Sequence, residues 1–251
     1  MTQHGEDTTL ARRPEDREFR PATRSPEQPP HTAPATGERN LHQEIQEIQG
    51  TQQTRETPGQ SLPEDRHQAI LEAAKQIGAL LKRDGHLFAL AGSVAVHAHG
   101  GSTNLQHDAD FCVRPEDAEA VAATLRDAGL EVCTPPEDWL LKTTCFGQAI
   151  DIIFELAHRP VTTEMLTRAQ DIPVDSVRMP VLSPTDLVGS LIAAFSEHHC
   201  DFGAVLPVAR ALREKVDWPQ VRRACGDEPM PAAFLFLLER LNVIAPPKEQ
   251  S

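Results

Sequence analysis

Residues 91–113 read AGSVAVHAHGGSTNLQHDADFCV. A Gly-Ser pair opens the stretch and a short apolar segment follows. HDADFCV closes it, with Asp108 and Asp110 flanking Ala109 at the head of an apolar run. Phe111 and Val113 give that run strand character, since such side chains suit a pleated, half-buried surface. Strand side chains alternate between faces, so Asp108 and Asp110 share one face about 6–7 Å apart, while Ala109 points the other way, into the core. Two carboxylates on one face, where a buried strand begins, call for a partner of opposite charge.

The surroundings supply the context. Upstream, LFALA (87–91) is a short apolar run of strand type, and Gly92-Ser93 turns the chain into a short helix stopped by Gly100-Gly101. Before it, Ser61-Leu62-Pro63-Glu64 has capping-box form and leads into Ile70, Leu71, Ala74, Ile77, Leu80 and Leu81 at helical spacing. Downstream, Pro115 starts a helix that Gly129 ends. LEVC (130–133), WLLKTTC (139–145), AIDIIFE (149–155) and VRMPVLS (177–183) read as strands, with VTTEMLTRAQ (161–170) as a helix. From Ser183-Pro184 onward, segments 184–197, 201–214, 218–225 and 230–241 read as helices. The expected fold class is therefore α/β (α+β): a small mixed sheet over 61–182 with a helical C-terminal segment over 183–251.

The first sixty residues differ in kind. They hold ten residues of the apolar and aromatic class among Pro-rich and charged runs, so residues 1–60 are expected to form a disordered tail. Within it, LHQEIQEIQGTQQ (41–53) has helical spacing but is too short to persist alone.

A third acid explains the first two. In AIDIIFE, Asp151 sits between apolar neighbours. If this strand lies beside DFCVR, Asp108, Asp110 and Asp151 converge on one rim. Converging carboxylates raise one another's pKa unless a counter-charge is present. Mg²⁺, a hard cation taking one or two carboxylates plus substrate phosphates, answers that need. Two such ions roughly 3.5–4 Å apart serve phosphoryl chemistry. Gly92-Ser93, between a strand and a helix N-terminus, is a candidate phosphate seat through backbone N–H groups and the Ser93 hydroxyl.

LFALAGS, HDADFCV and AIDIIFE, in that order, resemble the nucleotidyltransferase superfamily with its polymerase-beta-like fold. More narrowly, ALAGSVAVHAHG, HDADFCV and the helical LSPTDL segment look like bacterial nucleotidyltransferase-like proteins, including relatives of the AbiEii toxins. The resemblance spans about residues 66–240. It implies that Asp108 and Asp110 bind metal, that Asp151 is third ligand and base or orienter, and that Gly92 and Ser93 hold the triphosphate of an NTP. The implied reaction is Mg²⁺-dependent transfer of an NMP to a hydroxyl acceptor, on a small molecule, a protein or a tRNA end. An inactive binding or regulatory module on the same fold, or the toxin of a toxin–antitoxin pair, is the alternative. Toxin-type relatives often carry a Lys a few residues into the helix that begins Pro184-Thr185-Asp186-Leu187. Gly189, Ser190 and Leu191 stand there instead, leaving Arg114, Lys142 and Arg210 as candidate cations.

Charge limits the partners. The formal charge is −13, of which the first sixty residues contribute −3 (seven Lys and Arg, ten Asp and Glu), leaving −10 for the rest. Such a body argues against a broad nucleic-acid surface. Five cysteines without a C-x-x-C motif suit reduced thiols in a cytoplasmic protein. The acidic N-terminus has no signal-peptide pattern, and no apolar run is long enough to span a membrane.

Several residues invite stronger readings than they support. His97 and His99 at i and i+2 do not share a helix face and are expected as surface or partly packed side chains. His107 is expected as a strand-entry residue. His198, His199 and Cys200 lack a second ligand cluster for zinc, and Asp201 is expected to cap the next helix. Phe234, Leu235, Leu238 and Leu241 form an expected core stripe, and Lys142 an ordinary solvated strand lysine.

Overall fold

The computed structural model describes residues 66–101 and 108–246. The expected tail, the helix over 41–53, the capping box at Ser61–Glu64 and His107 lie outside the described residues.

The apolar stripe from Ile70 to Leu81 forms α1 (Arg66–Arg83), whose inward residues are buried. Next come β1 (Phe88–Ala91), α2 (Gly92–Ala98) and β2 (Asp108–Val113). A single 3-10 turn at Pro115–Asp117 leads into α3 (Ala118–Asp127). The strands β3 (Val132–Cys133), β4 (Leu140–Cys145) and β5 (Gln148–Ile153) follow, then a small separate hairpin of β6 (Glu155–Leu156) and β7 (Arg159–Pro160). After α4 (Thr163–Thr167), β8 (Gln170–Val174) and β9 (Val177–Val181) complete the main sheet.

That sheet has seven strands in the order β3-β4-β5-β2-β1-β9-β8. Two pairings, β2 with β5 and β1 with β9, are parallel; the others are antiparallel, so the sheet is mixed as expected. Ala109 and Phe111 are fully buried, on the face away from the two aspartates of β2. Register places Leu90 opposite Phe111 and beside Val181, and Met179 shares that face two residues earlier. Gly78 of α1 lies so close to Met179 that a Cβ there would sit 2.7 Å from its sulfur, which fixes α1 against this face.

The C-terminal helices are α5 (Pro184–Ala193), α6 (Phe202–Leu212), α7 (Trp218–Cys225) and α8 (Pro229–Arg240). Side chains cap three of them: Ser183, Asp201 and Asp217 each accept a hydrogen bond from the backbone N–H three residues on. Phe195, Phe202 and Phe234 form a triangle with ring centroids 4.9, 5.1 and 5.0 Å apart, joining the segment after α5 to α6 and α8. The bidentate Arg168–Asp186 pair ties the end of α4 to the first turn of α5.

Two expectations needed revision. The helix expected over 161–170 is limited to α4, and QDIPV continues as β8. Pro173 cannot continue a helix, but it suits an edge strand, and among the described residues β8 pairs only with β9. Leu241 is 41% exposed rather than core, and it falls at the C-cap of α8, where the helix ends.

Phe234 is fully buried within the aromatic triangle. Phe234→Ala is expected to cost about 3–5 kcal/mol. The check is urea unfolding: a lower midpoint with an unchanged slope, and a much smaller loss for Phe234→Leu.

Candidate active site

Strand register builds the site. Antiparallel pairing of β1 with β2 sets Ala91 opposite Asp110. Parallel pairing of β2 with β5 sets Asp110 beside Asp151 and Asp108 beside Ala149. The β4–β5 hairpin sets Lys142 opposite Asp151. A row therefore crosses four neighbouring strands as Lys142, Asp151, Asp110, Ala91, all on one face, with Asp108 two residues before Asp110 on that same face.

The three carboxylates converge as expected. One oxygen from each of Asp108, Asp110 and Asp151 lies within 4.8 Å of the others, and among the described residues no other three His, Cys, Asp or Glu side chains do so. Asp151 is only 7% exposed, while Asp108 and Asp110 are half-buried. Burial first, and then the charges of Asp108 and Asp151, push the Asp110 carboxyl well above the usual carboxylate range. Burial likewise raises Asp151; Lys142 opposes this, and Asp108 adds to it. Lys142 donates from Nζ to Oδ2 of Asp151 at 3.4 Å. One lysine faces three acids, so the row is short of positive charge. The donors are hard oxygens at close quarters and partly dry, a set that fits a divalent cation such as Mg²⁺.

Gly92 is tied to this row by sterics. Its φ is +59°, and a Cβ on it would lie 1.7 Å from Oδ2 of Asp110 and 2.7 Å from Cγ. The glycine thus does more than turn the chain: it makes room for the carboxylate. Ser93 follows in the first turn of α2, whose N-terminus has Ala91 before it and no side-chain cap. The proposed phosphate seat and the acid row are therefore contiguous.

Other candidates fall away from the row. The Arg114 guanidinium is held by Asp117 at 2.6 and 2.8 Å and by Glu116 at 3.1 Å, four residues beyond Asp110 along the chain, roughly 13 Å by strand rise. Arg210 is exposed on α6. His97 meets His67 edge to face at 5.1 Å. His99 is more buried than expected, with Nε2 2.8 Å from the carbonyl oxygen of Leu182. His198, His199 and Cys200 are exposed, and Asp201 caps α6.

What sequence reasoning missed is the pairing of Lys142 with Asp151, and the signal was present. Phe146 and Gly147, both with positive φ, form a two-residue hairpin turn that pairs Cys145 with Gln148. Counting three residues outward on each strand brings Lys142 opposite Asp151.

A family model described as "Uncharacterised nucleotidyltransferase" matches residues 62–243. No curated protein matches the chain. Among solved structures, the antibiotic-resistance factor ANT(2'')-Ia in solution is 12% identical over 68% of this chain and 94% of its own, with a TM-score of 0.46. The crystal structure of ANT(2")-Ia in complex with adenylyl-2"-tobramycin gives 13% identity, coverages of 66% and 97%, and a TM-score of 0.45. A tRNA nucleotidyltransferase complexed with a primer tRNA and an incoming ATP analog gives 14%, 66%, 60% and 0.29. Likenesses this slight leave the reaction to be argued from the family and from the chain's own residues.

Two substitutions follow from the geometry. Asp110→Asn removes a charge from the crowded row without changing its shape. It is expected to raise the Tm of the metal-free protein by about 2–4 °C, the equivalent of about 1 kcal/mol, and to blunt the rise in Tm that Mg²⁺ gives the unaltered chain. Gly92→Ala combines a left-handed backbone with a clash, so it is expected to destabilise by more than about 1 kcal/mol. Differential scanning fluorimetry with EDTA and with Mg²⁺ reads both.

Proposed function

The chain belongs to the uncharacterised nucleotidyltransferase family, and from that premise we propose that it transfers a nucleoside monophosphate from an NTP to a hydroxyl acceptor with the help of Mg²⁺. It is a nucleotidyltransferase by family; the nucleotide, the metal and the hydroxyl acceptor are the finer reading. The convergence of Asp108, Asp110 and Asp151 beside Gly92 is the observation that carries it.

In this reading Asp108, Asp110 and Asp151 would hold the metal, one ion or two. Bound Mg²⁺ would supply charge neutralisation of the triphosphate and polarisation at the α-phosphorus. Gly92 and Ser93 seat the phosphates through backbone N–H groups and the Ser93 hydroxyl. The acceptor oxygen forms a bond to the α-phosphorus, the bond from that phosphorus to the bridging oxygen breaks, and pyrophosphate leaves. Asp151 accepts the acceptor's hydroxyl proton or orients that hydroxyl. Little covalent chemistry falls to the protein, so the rate depends on positioning and charge.

The nucleotidyltransferase part takes in residues 61–182, and the helical segment residues 183–251. The acceptor is a small molecule, a protein side chain or a tRNA end. The net charge of −10 outside the first sixty residues disfavours a long phosphate backbone lying across the surface. No described helix is long and apolar enough to cross a membrane. A cytoplasmic setting is the reading that the five cysteines without a C-x-x-C motif support.

The test is transfer of label from α-³²P-labelled NTPs in Mg²⁺ and cell extract, with separate analysis of small molecules, proteins and RNA. Label is expected in one fraction, and Asp108→Ala or Asp110→Ala is expected to reduce the rate at least about 100-fold. Nucleotide binding without transfer in any fraction leaves the binding-module reading in its place. Growth arrest on expression, rescued by a neighbouring gene product, marks the toxin reading.

A further inference from the structure

We propose that Lys142 is a positioning residue for the attacking side of this reaction, rather than a cation for the triphosphate. The inference rests on the nucleotidyl-transfer reading above and deepens it.

The order of the row carries the argument. Lys142 lies on β4, Asp151 on β5, Asp110 on β2 and Ala91 on β1, each opposite the next. Strands lie about 4.8 Å apart, so the backbone of Lys142 is roughly 14 Å from that of Ala91, where the Gly92-Ser93 seat begins. Two whole strands, with their aspartates, stand between the lysine and the seat. Its ammonium is spent at the near end, 3.4 Å from Oδ2 of Asp151.

In-line displacement fixes what each end does. The attacking and leaving oxygens stand on opposite sides of the phosphorus. With the leaving pyrophosphate at Gly92-Ser93, the acceptor hydroxyl comes in at the Asp151 end. The Asp151 side chain is 10% exposed, whereas that of Lys142 is 43% exposed, so the lysine stands at the mouth and the acid inside. Lys142 acts by gripping one oxygen of Asp151 and setting the carboxylate's orientation toward the incoming hydroxyl. No atom of Lys142 enters the bond changes: the oxygen–phosphorus bond forms, the phosphorus–pyrophosphate bond breaks, and the hydroxyl proton passes to Asp151.

Lys142→Met keeps the stem and removes the charge; Lys142→Arg keeps the charge, and Lys142→Gln serves should the Met variant fail to fold. Initial rates of label transfer from α-³²P-labelled ATP are measured while the acceptor fraction of extract and the ATP are titrated separately. Binding of α,β-methylene-ATP with Mg²⁺ is measured by calorimetry. The expected result is a fall in maximal rate of about 100-fold for Lys142→Met, with partial recovery in Lys142→Arg. The Michaelis constant for ATP and the analogue's affinity stay within about twofold. In an Asp151→Ala background the lysine change is expected to add little, as for residues acting as a unit. An unchanged maximal rate overturns the proposal, and so does analogue binding weakened about tenfold, which makes Lys142 a phosphate cation. If the unaltered chain transfers no label at all, the nucleotidyl-transfer reading itself fails and the proposal falls with it.

Discussion

Everything at this site depends on one close approach, that of the Asp110 carboxylate to the backbone of Gly92. The distance at which a Cβ would meet Oδ2, 1.7 Å, lies far inside any contact two atoms tolerate. The antiparallel pairing of β1 and β2 ends with Ala91 opposite Asp110, so the next residue must turn within reach of that side chain. Only a residue without a side chain, in a positive-φ conformation, lets the chain turn there and still start α2. The contact joins what a phosphate would need, a helix N-terminus, to what a metal would need, an acid, and it does so through backbone geometry rather than through a flexible side chain.

The same arrangement is costly to the fold taken alone. Burial pushes Asp110 and Asp151 toward the neutral form, the charge of Asp108 adds to both, and Lys142 opposes the shift in each. Cys112, two residues on in the same strand, is buried as well, and its thiol is pushed up by burial and then by Asp110. A strand selected only for stability would place apolar residues here. Proteins keep such strain where a ligand relieves it, and rigid, fully paired strands are what hold like charges together in the meantime.

Much of this was legible in the sequence because strand alternation and register are rigid rules. HDADFCV gave the shared face of Asp108 and Asp110, and the buried position of Ala109, directly from a period of two residues. AIDIIFE gave Asp151 by the same rule, and β2 and β5 do lie side by side. Two of the C-terminal helices were marked by Ser183-Pro184 at the start of α5 and by Asp201 as the cap of α6. Tertiary packing was not legible. The exposure of Leu241 depends on where α8 stops against its neighbours, and the burial of His99 depends on Leu182, which is eighty-three residues away. The helix expected over 161–170 was read too long at both ends, and β8 was not read as a strand at all.

The contrast between α5 and β4 carries the argument about charge one step further. The toxin-type relatives that the sequence resembles often carry a lysine a few residues into α5, and in this chain Gly189 stands in that region. A Cβ on Gly189 would meet Val221 of α7 at 3.8 Å, an ordinary contact, so this part of α5 faces a neighbouring helix. The cation set against the acids comes from within the sheet. A strand lysine is held differently from a helix lysine. The hairpin turn at Phe146-Gly147 fixes its register to Asp151, and a slip of one residue would put it on the opposite face. Lys142 is thereby bound to the same rule that aligns the three aspartates, so metal ligands and counter-charge share one geometric origin in the pairing of four strands.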